Sequence, residues 1–498
     1  MRLSTVVIPW IEKLQRFIEL LTLIILMQLE RQAVDAAKLK AAEARAAALE
    51  AQLAAAKKNS RNSSKPPSSD IVKAPQPRRR GKRKIGGQKG HPRYERVAFT
   101  PEEISHFVPC RLASCPCCDS RDLSPDESRE PRVFDQIELP AKLFEVTRHT
   151  AYASRCRNCG TTAYAEVPAA VRKLGLLGPR MTSMLLYTKG ALHVSYSGLE
   201  DFLGQVIGVD VCRGYLAKTM KRASPALAVP VQELRDLLPE QFQLNVDETG
   251  HKENGQPWWT WVFRAPEFVV FSIQEQRSSA VLLKILGQEF AGILGCDYFS
   301  AYRKYMRLTD VRIQFCLAHL IRDLKFLAEH PDGRIRLYGQ PILKAVKKLF
   351  ALIHEHEQTP LADLQQRLDR QKHKIMEAAL HTAIISPNRA EVRVHCKPVI
   401  NMAERFRQHG EAYFTFLTTP GVQPTNNSAE QAFRFVVIDR HVTQGTRGST
   451  GRAFCERIWT LIGTCRLQKR SIFQFLSEAV SAWAQGLPAP SLVPANTG

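Results

Sequence analysis

From Leu14 onward, apolar and small residues recur at alternating steps of four and three: Leu14, Ile18, Leu21, Ile25, a polar interval at Gln28, Gln32 and Asp35, then Leu39, Ala42, Ala46, Leu49, Leu53 and Ala56. Such a seam lies on one side of a helix, and its simplest cover is a second copy of itself. The pattern predicts a coiled-coil, leucine-zipper-like helix over 1–58 and a homodimer or higher oligomer. It stops at NSRNSSKPPSSD (59–70), which cannot continue a helix and has almost nothing apolar to bury. Strand-like alternation follows within 133–170, in VFDQIELP and EVTRHTAYASRC. A helical pattern then predicts one helix near Ser197 to Gln205, a turn at Gly208, and a second helix from about Cys212 that ends in Lys218, Lys221 and Arg222. Two short helices across a Gly-containing turn fit a helix-turn-helix outline for residues 175–235. Next come FQLNV, WWTWVFR and FVVFSI, a helix from about Ser279 to Leu286, and a strand before GCDYFSAY. That order, three strands, a helix and a strand, predicts an α/β layer, and Leu337 to Leu380 reads as helical. The fold class is therefore multidomain α/β.

Charge changes the picture most between Lys57 and Arg96, where fourteen Lys or Arg face only Asp70 and Glu95. This segment supplies twelve of the chain's net +22 charges. A basic flexible linker over 59–100 is expected, and its natural partner is a polyanion, because each cation brought to a phosphate releases condensed counterions. Arg78, Arg79, Arg80, Lys82, Arg83, Lys84, Lys89 and Arg93 are the candidate DNA-binding residues. Gly86, Gly87 and Gly90 among them permit close backbone approach. The longest apolar run, Leu20 to Met27, is far short of the roughly 20 residues of a spanning helix, and it has no signal-peptide cleavage site. A cytoplasmic protein with no membrane partner is expected, associated with the nucleoid when bound to DNA.

Twelve cysteines in 498 residues suit a reducing compartment. Cys115, Cys118, Cys156 and Cys159 form two C-x2-C pairs, 37 residues apart, with the spacing of zinc knuckles. They predict a structural Zn²⁺ in a module over 101–170, with Cys110 and Cys117 as spares. Further along, Asp247 follows the first strand of the α/β layer and Asp297 follows the fourth. Facing carboxylates on adjacent strands offer hard oxygen ligands to Mg²⁺ or Mn²⁺. Glu430, in the first turn of a helix capped by Asn426, Asn427 or Ser428, can complete the set. Two metals held this way support in-line phosphoryl displacement. Glu248 is the rival to Asp247. The pair Cys316-x2-His319 has no second pair nearby in sequence, so a packed or catalytic-neighbour role is expected for it.

NSRNSSKPPSSD, GGQKGH (86–91), the paired C-x2-C motifs, NVDET (245–249), GCDYFSAY (295–302), CLAHLIRDLKF (316–326) and PTNNSAEQAFR (424–434) together resemble the transposases of the insertion-sequence-66 type, bacterial enzymes of the DDE class. The resemblance implies a ribonuclease-H-like core over 240–445 with a helical insertion at about 330–415, and a C-terminal helical segment, 446–498. It implies a divalent-metal triad of Asp247, Asp297 and Glu430, favours Asp247 over Glu248, and sets His319 beside the carboxylates as an assisting residue. The implied activity is metal-dependent cleavage at insertion-sequence ends and strand transfer. The implied partners are terminal repeats, target DNA and other element-encoded proteins. It also offers Arg447, Arg452, Arg457, Arg466, Lys469 and Arg470 as contacts to transposon-end DNA. This chain departs from the family in having Gln431 where Arg commonly follows the Glu. The rival readings are a catalytically silent DNA-binding regulator or structural factor on the same scaffold, and a plain metal-dependent nuclease.

Overall fold

The computed structural model describes residues 4–56, 98–124, 126, 128–129, 132–140, 142–358, 363–381 and 396–494. The basic linker, with all eight candidate DNA-binding residues from Arg78 to Arg93, lies outside the described residues. Helix α1 (Ser4–Ala56) runs unbroken through the polar interval at Gln28, Gln32 and Asp35. Its seam residues Leu14, Ile18, Leu21, Ile25, Leu39, Leu49 and Leu53 are all exposed. Among the described residues, no helix is long and apolar enough to cross a membrane.

Chain contacts divide the molecule into a small unit, 72–145, and a large one, 1–71 with 146–498. In the small unit, Cys115 to Ser120 forms a closed loop: the Cys115 N–H donates to Ser120 O (2.8 Å) and the Asp119 N–H to Cys115 O (2.9 Å). In the large unit, strands β1 (Ala153–Arg155) and β2 (Thr162–Tyr164) pair antiparallel around a loop with the same bonds, Cys156 N–H to Thr161 O (2.8 Å) and Gly160 N–H to Cys156 O (3.0 Å).

Helices α2 (Ala169–Leu174), α3 (Pro179–Gly190), α4 (Tyr196–Phe202), α5 (Arg213–Ala223) and α6 (Ala228–Asp236) form the helical segment. Ser195 caps α4 by accepting from the Gly198 N–H. A short π-helical turn follows α4 and closes at Gly208 in the left-handed region. Buried Leu199, Leu203, Leu216 and Met220 seal this pair, while Arg213, Lys218 and Lys221 of α5 remain exposed. Helix α3 is fixed to the large unit's core by a buried Lys189–Asp439 ion pair at 3.3 Å.

The central sheet has the order β5-β4-β3-β6-β7, built from β3 (Gln243–Glu253), β4 (Gln256–Arg264), β5 (Val269–Gln274), β6 (Ile293–Cys296) and β7 (Arg312–Phe315). The first three strands are antiparallel; β6 runs parallel to β3, and β7 to β6. Strand β3 does not stop at Val246 as its apolar run suggests. It continues through DETGHKE into a tight hairpin at Asn254 and Gly255, whose φ angles of 50° and 80° are those of a primed two-residue turn. Helix α7 (Ser279–Leu286) joins β5 to β6, α8 (Ser300–Leu308) joins β6 to β7, and α9 (Leu317–Ala328) follows β7. Then come α10 (Gly333–Gln358), α11 (Leu364–Leu380) and α12 (Lys397–His409), in the stretch where a helical insertion is expected. Tyr338 Oη donates to Ala379 O (2.6 Å) and Gln371 Nε2 to Ala345 O (3.0 Å), locking α10 to α11.

The chain returns to the sheet with α13 (Asn427–Thr443), which packs on β3 and β4, and with α14 (Ser449–Leu467), which lies along β5; α15 (Ile472–Gln485) then packs on α3. Phe271 of β5 sits against Phe433 of α13 and Trp459 of α14, with ring centroids 6.1 and 6.2 Å apart. Most of the C-terminal arginines offered for DNA have partners within the chain. Arg452 bonds Glu253 (2.7 Å), Arg457 bonds Ser224 (2.9 Å), and Arg466 and Arg470 reach main-chain carbonyls. Arg447 and Lys469 are exposed.

Candidate active site

The parallel register of β3 and β6 pairs Gln243 with Ile293, Leu244 with Leu294 and Asn245 with Gly295. Continued for two residues, it brings Asp247 alongside Asp297. Both are half-buried, Asp247 within β3 and Asp297 just past β6. Burial pushes the Asp247 carboxyl well above its usual range, and the charges of Glu248, Asp297 and Glu430 push it further. Asp297 is also raised, chiefly by burial, although its Oδ1 accepts the Phe299 N–H at 2.9 Å.

Glu430 reaches this cluster from the first turn of α13. The helix start is fixed by Asn426, which does not cap it with its side chain as expected. Instead, Asn426 Nδ2 donates to Val246 O (2.8 Å), its Oδ1 accepts from Asn245 Nδ2 (2.9 Å), and its N–H donates to Cys316 Sγ (3.2 Å). One side chain thus ties α13 to the strand that carries Asp247. Gly295 makes room for the brace, since a Cβ there would run into Asn245 Nδ2.

The two carboxylates after the first strand differ in surroundings. Glu248 is buried and its oxygens are taken: Arg277 Nε and Nη2 donate to Oε1 at 2.9 and 2.7 Å, and the Tyr302 hydroxyl donates to Oε2. The Arg277 guanidinium lies over the Phe299 and Trp259 rings, 4.0 and 4.7 Å from their centroids. Burial, and after it Asp297, pushes Glu248 up to about 7. Asp247 accepts a single hydrogen bond, from the Glu248 N–H at 2.9 Å, which leaves oxygen lone pairs for a cation.

On the far side of Glu430 stands α9. Arg322 Nη2 donates to Glu430 Oε1 at 3.0 Å, and His319 Nδ1 lies 3.6 Å from the same oxygen. Burial, reinforced by Arg322, pushes the His319 imidazole down to about 4, so it is neutral near pH 7. The Cys316 thiol is pushed up to about 11, also by burial first. Cys316, His319 and Glu430 offer ligand atoms that all lie within 4.8 Å of one another. The partner absent near Cys316-x2-His319 in sequence is thus supplied in space by Glu430.

Sequence reasoning assigned no role to Asn245, Arg277, Tyr302 or Arg322. Tyr302 and Arg322 stand inside GCDYFSAY and CLAHLIRDLKF, which was the available signal. Asn245 heads NVDET; Arg277 lies in no motif.

The C-x2-C loops have electrostatics suited to thiolates. The Cys117 and Cys118 backbone N–H groups lower the Cys115 thiol. The Thr161 hydroxyl, and then its N–H, lowers Cys159 to about 7. Asp119 and Gly160 each follow the second cysteine of their pair with a positive φ, 60° and 75°.

Comparison with known proteins gives two family matches. Residues 174–453 match the family described as Transposase IS66 family, and residues 11–97 match a family of unknown function, DUF6444. Two proteins of Sinorhizobium fredii (strain NBRC 101917 / NGR234) are similar. "Uncharacterized protein y4hP" is 24% identical over 381 residues, which is 71% of this chain and 67% of that protein. "Uncharacterized protein y4qI" is 24% identical over 376 residues, 70% and 67% of the respective chains.

Proposed function

The chain belongs to the transposase IS66 family, whose match takes in more than half of its residues, and we propose that it cuts DNA strands at the ends of a mobile element and joins them to target DNA. What supports this reading is that Asp247 and Asp297 stand on neighbouring parallel strands and that the charge of Glu430, on the returning helix, acts on Asp247. The strand order, three antiparallel strands extended on one side by two parallel ones, supports the ribonuclease-H-like core that the resemblance implies.

Asp247, driven toward its protonated form by burial first and then by neighbouring carboxylates, offers with Asp297 and Glu430 the hard oxygens that suit a divalent cation. Magnesium or manganese bound there supplies charge neutralisation for an in-line attack on phosphorus and for the leaving oxygen. Asp247 and Asp297 hold the cation and Glu430 orients the attacking oxygen. His319, neutral at working pH, contacts the scissile phosphate. Glu248, occupied by Arg277 and Tyr302, keeps β3 and α8 in place. Cleavage exchanges one phosphorus–oxygen bond for another and frees a 3′ hydroxyl. Joining repeats the exchange with that hydroxyl as nucleophile, so neither step needs an outside energy source.

The remaining parts serve binding. The linker cations and the exposed face of α5, with Arg213, Lys218 and Lys221, lie on DNA, and α1 pairs with a second copy so that two ends are held together. The C-x2-C loops of Cys115 and Cys118 and of Cys156 and Cys159 supply thiolates for structural zinc, whose removal by a chelator should destabilise the protein.

Purified protein with labelled element ends and Mg²⁺ tests the reading. Wild type should cut and join, and Asp247→Ala should lose both. Joining by Asp247→Ala at the wild-type rate would refute the catalytic assignment; cutting without joining by wild type would make the protein a nuclease.

A further inference from the structure

Glu430 stands in two donor sets at once. Toward the sheet its charge acts on Asp247, which lies alongside Asp297, an all-oxygen set. Toward α9 it faces Cys316 Sγ and His319, with the three ligand atoms within 4.8 Å of one another. The second set has a feature that packing alone does not explain: among the described residues His319 Nδ1 is buried and makes no hydrogen bond, with Glu430 Oε1 standing off at 3.6 Å. A buried ring nitrogen without a partner is costly, and a cation beside it would remove that cost.

We propose that Cys316, His319 and Glu430 form a second cation site that takes Zn²⁺ in preference to Mg²⁺, and that filling it inhibits the enzyme by drawing Glu430 away from Asp247 and Asp297. This rests on the reading of Glu430 as a catalytic carboxylate. The selectivity follows from donor chemistry. Sulfur and imidazole suit zinc, which accepts four ligands and would complete its shell here with one water, whereas magnesium demands near-octahedral oxygen. On binding, the Cys316 thiol gives its proton to solvent and the thiolate sulfur bonds the metal. Arg322 sets the strength. Its guanidinium holds Glu430 Oε1 at 3.0 Å, and zinc must share or displace that contact. The site therefore binds more weakly than a closed four-cysteine site and fills reversibly as free zinc rises.

The test uses full-length protein isolated with its structural zinc, with Co²⁺ and Zn²⁺ as the probes. Added Co²⁺ should produce thiolate-to-cobalt charge-transfer absorption in wild type that is absent from Cys316→Ser and from His319→Gln. In Mg²⁺-dependent cleavage of labelled ends, added Zn²⁺ should inhibit wild type. Each variant, normalised to its own uninhibited rate, should need at least about tenfold more zinc, since loss of even an outer-shell partner commonly costs 10–100-fold in metal affinity. Equal cobalt absorption in wild type and both variants would overturn the site, and equal zinc sensitivity would overturn the inhibition. If the cobalt difference is present while Glu430→Gln cleaves as well as wild type, the catalytic reading of Glu430 fails and the inhibition fails with it, while the metal site stands.

Discussion

Asn426 holds together the two elements that bear Asp247 and Glu430, and it does so through buried amide bonds rather than charge. Replacing it by Ala strands Asn245 Nδ2 and the Val246 carbonyl, at about 1–3 kcal/mol for each buried group left without a partner. It also frees the first turn of α13 to shift. Asn426→Ala should therefore unfold at lower denaturant and, at a temperature where it is still folded, lose more cleavage than its folded fraction explains. The measurements are a denaturation curve and a rate on the same sample, and a rate that simply tracks the folded fraction would reduce Asn426 to a stability residue. This brace also marks where sequence reading ends. Asp247, Asp297 and Glu430 stood out in the sequence because each follows an apolar run or opens a helix within a distinctive motif. Asn245 and Asn426 were not, because an amide pair joining positions 181 residues apart leaves no periodic trace. Glu248 and Asp247 are adjacent and chemically alike, so only the partners brought by folding, Arg277 and Tyr302, tell them apart.

At the scale of elements, the edge strand β5 is closed by a helix. Its Val269 and Phe271 N–H groups donate to the hydroxyls of Thr464 and Thr460, at 3.2 and 3.0 Å, and its Ile273 N–H to Glu456 Oε1 at 2.6 Å. The match is a coincidence of repeats. Four residues of α-helix rise about 6 Å, and two residues of strand advance about 6.7 Å, so every fourth side chain of α14 meets every second N–H of β5. An edge left open would invite pairing with another chain. Thr460→Val keeps the shape and removes the acceptor, so it should cost about 1–3 kcal/mol, while Thr460→Ser should recover most of the loss. Chemical denaturation of the pair decides it, and equal stability of Val and Ser variants would show that the hydroxyl is dispensable. The succession of β3 to β6 along the chain was readable from apolar runs and turns, whereas β7, only four residues long, was not. The length of β3 was not, because DETGHKE lacks apolar alternation and is held as a strand by β4 and by Thr446 beyond it. Nor was the role of α14 readable, since the arginines that suggested DNA contact fold back onto Glu253 and Ser224.

For the whole molecule, the proposed joining of two DNA ends calls for a contact between copies, and the exposed seam of α1 is the candidate with the sharpest test. Its seam places Ile18 and Ile25 at one core position of the heptad and Leu14 and Leu21 at the other. That combination, β-branched at a and Leu at d, favours a parallel two-stranded coil. Gln28, Gln32 and Asp35 occupy the next three core positions, where a polar layer lowers stability but fixes register and strand number. Exposure of these side chains along an unbroken helix leaves the seam ready for a second copy. A parallel dimer would bring two linkers, each carrying ten net positive charges over 59–100, to the same end of the coil, which suits two DNA ends held side by side. Ile25→Glu places a charge in the apolar layer of both strands and should convert the dimer to monomer in analytical ultracentrifugation. Because Asp247, Asp297 and Glu430 all belong to one chain, nicking of a single labelled end should survive in this variant, while coupled joining of two ends should fall with the dimer fraction. If Ile25→Glu sediments as wild type does, α1 is not the seam; if it is monomeric and still joins paired ends, another contact holds the ends together.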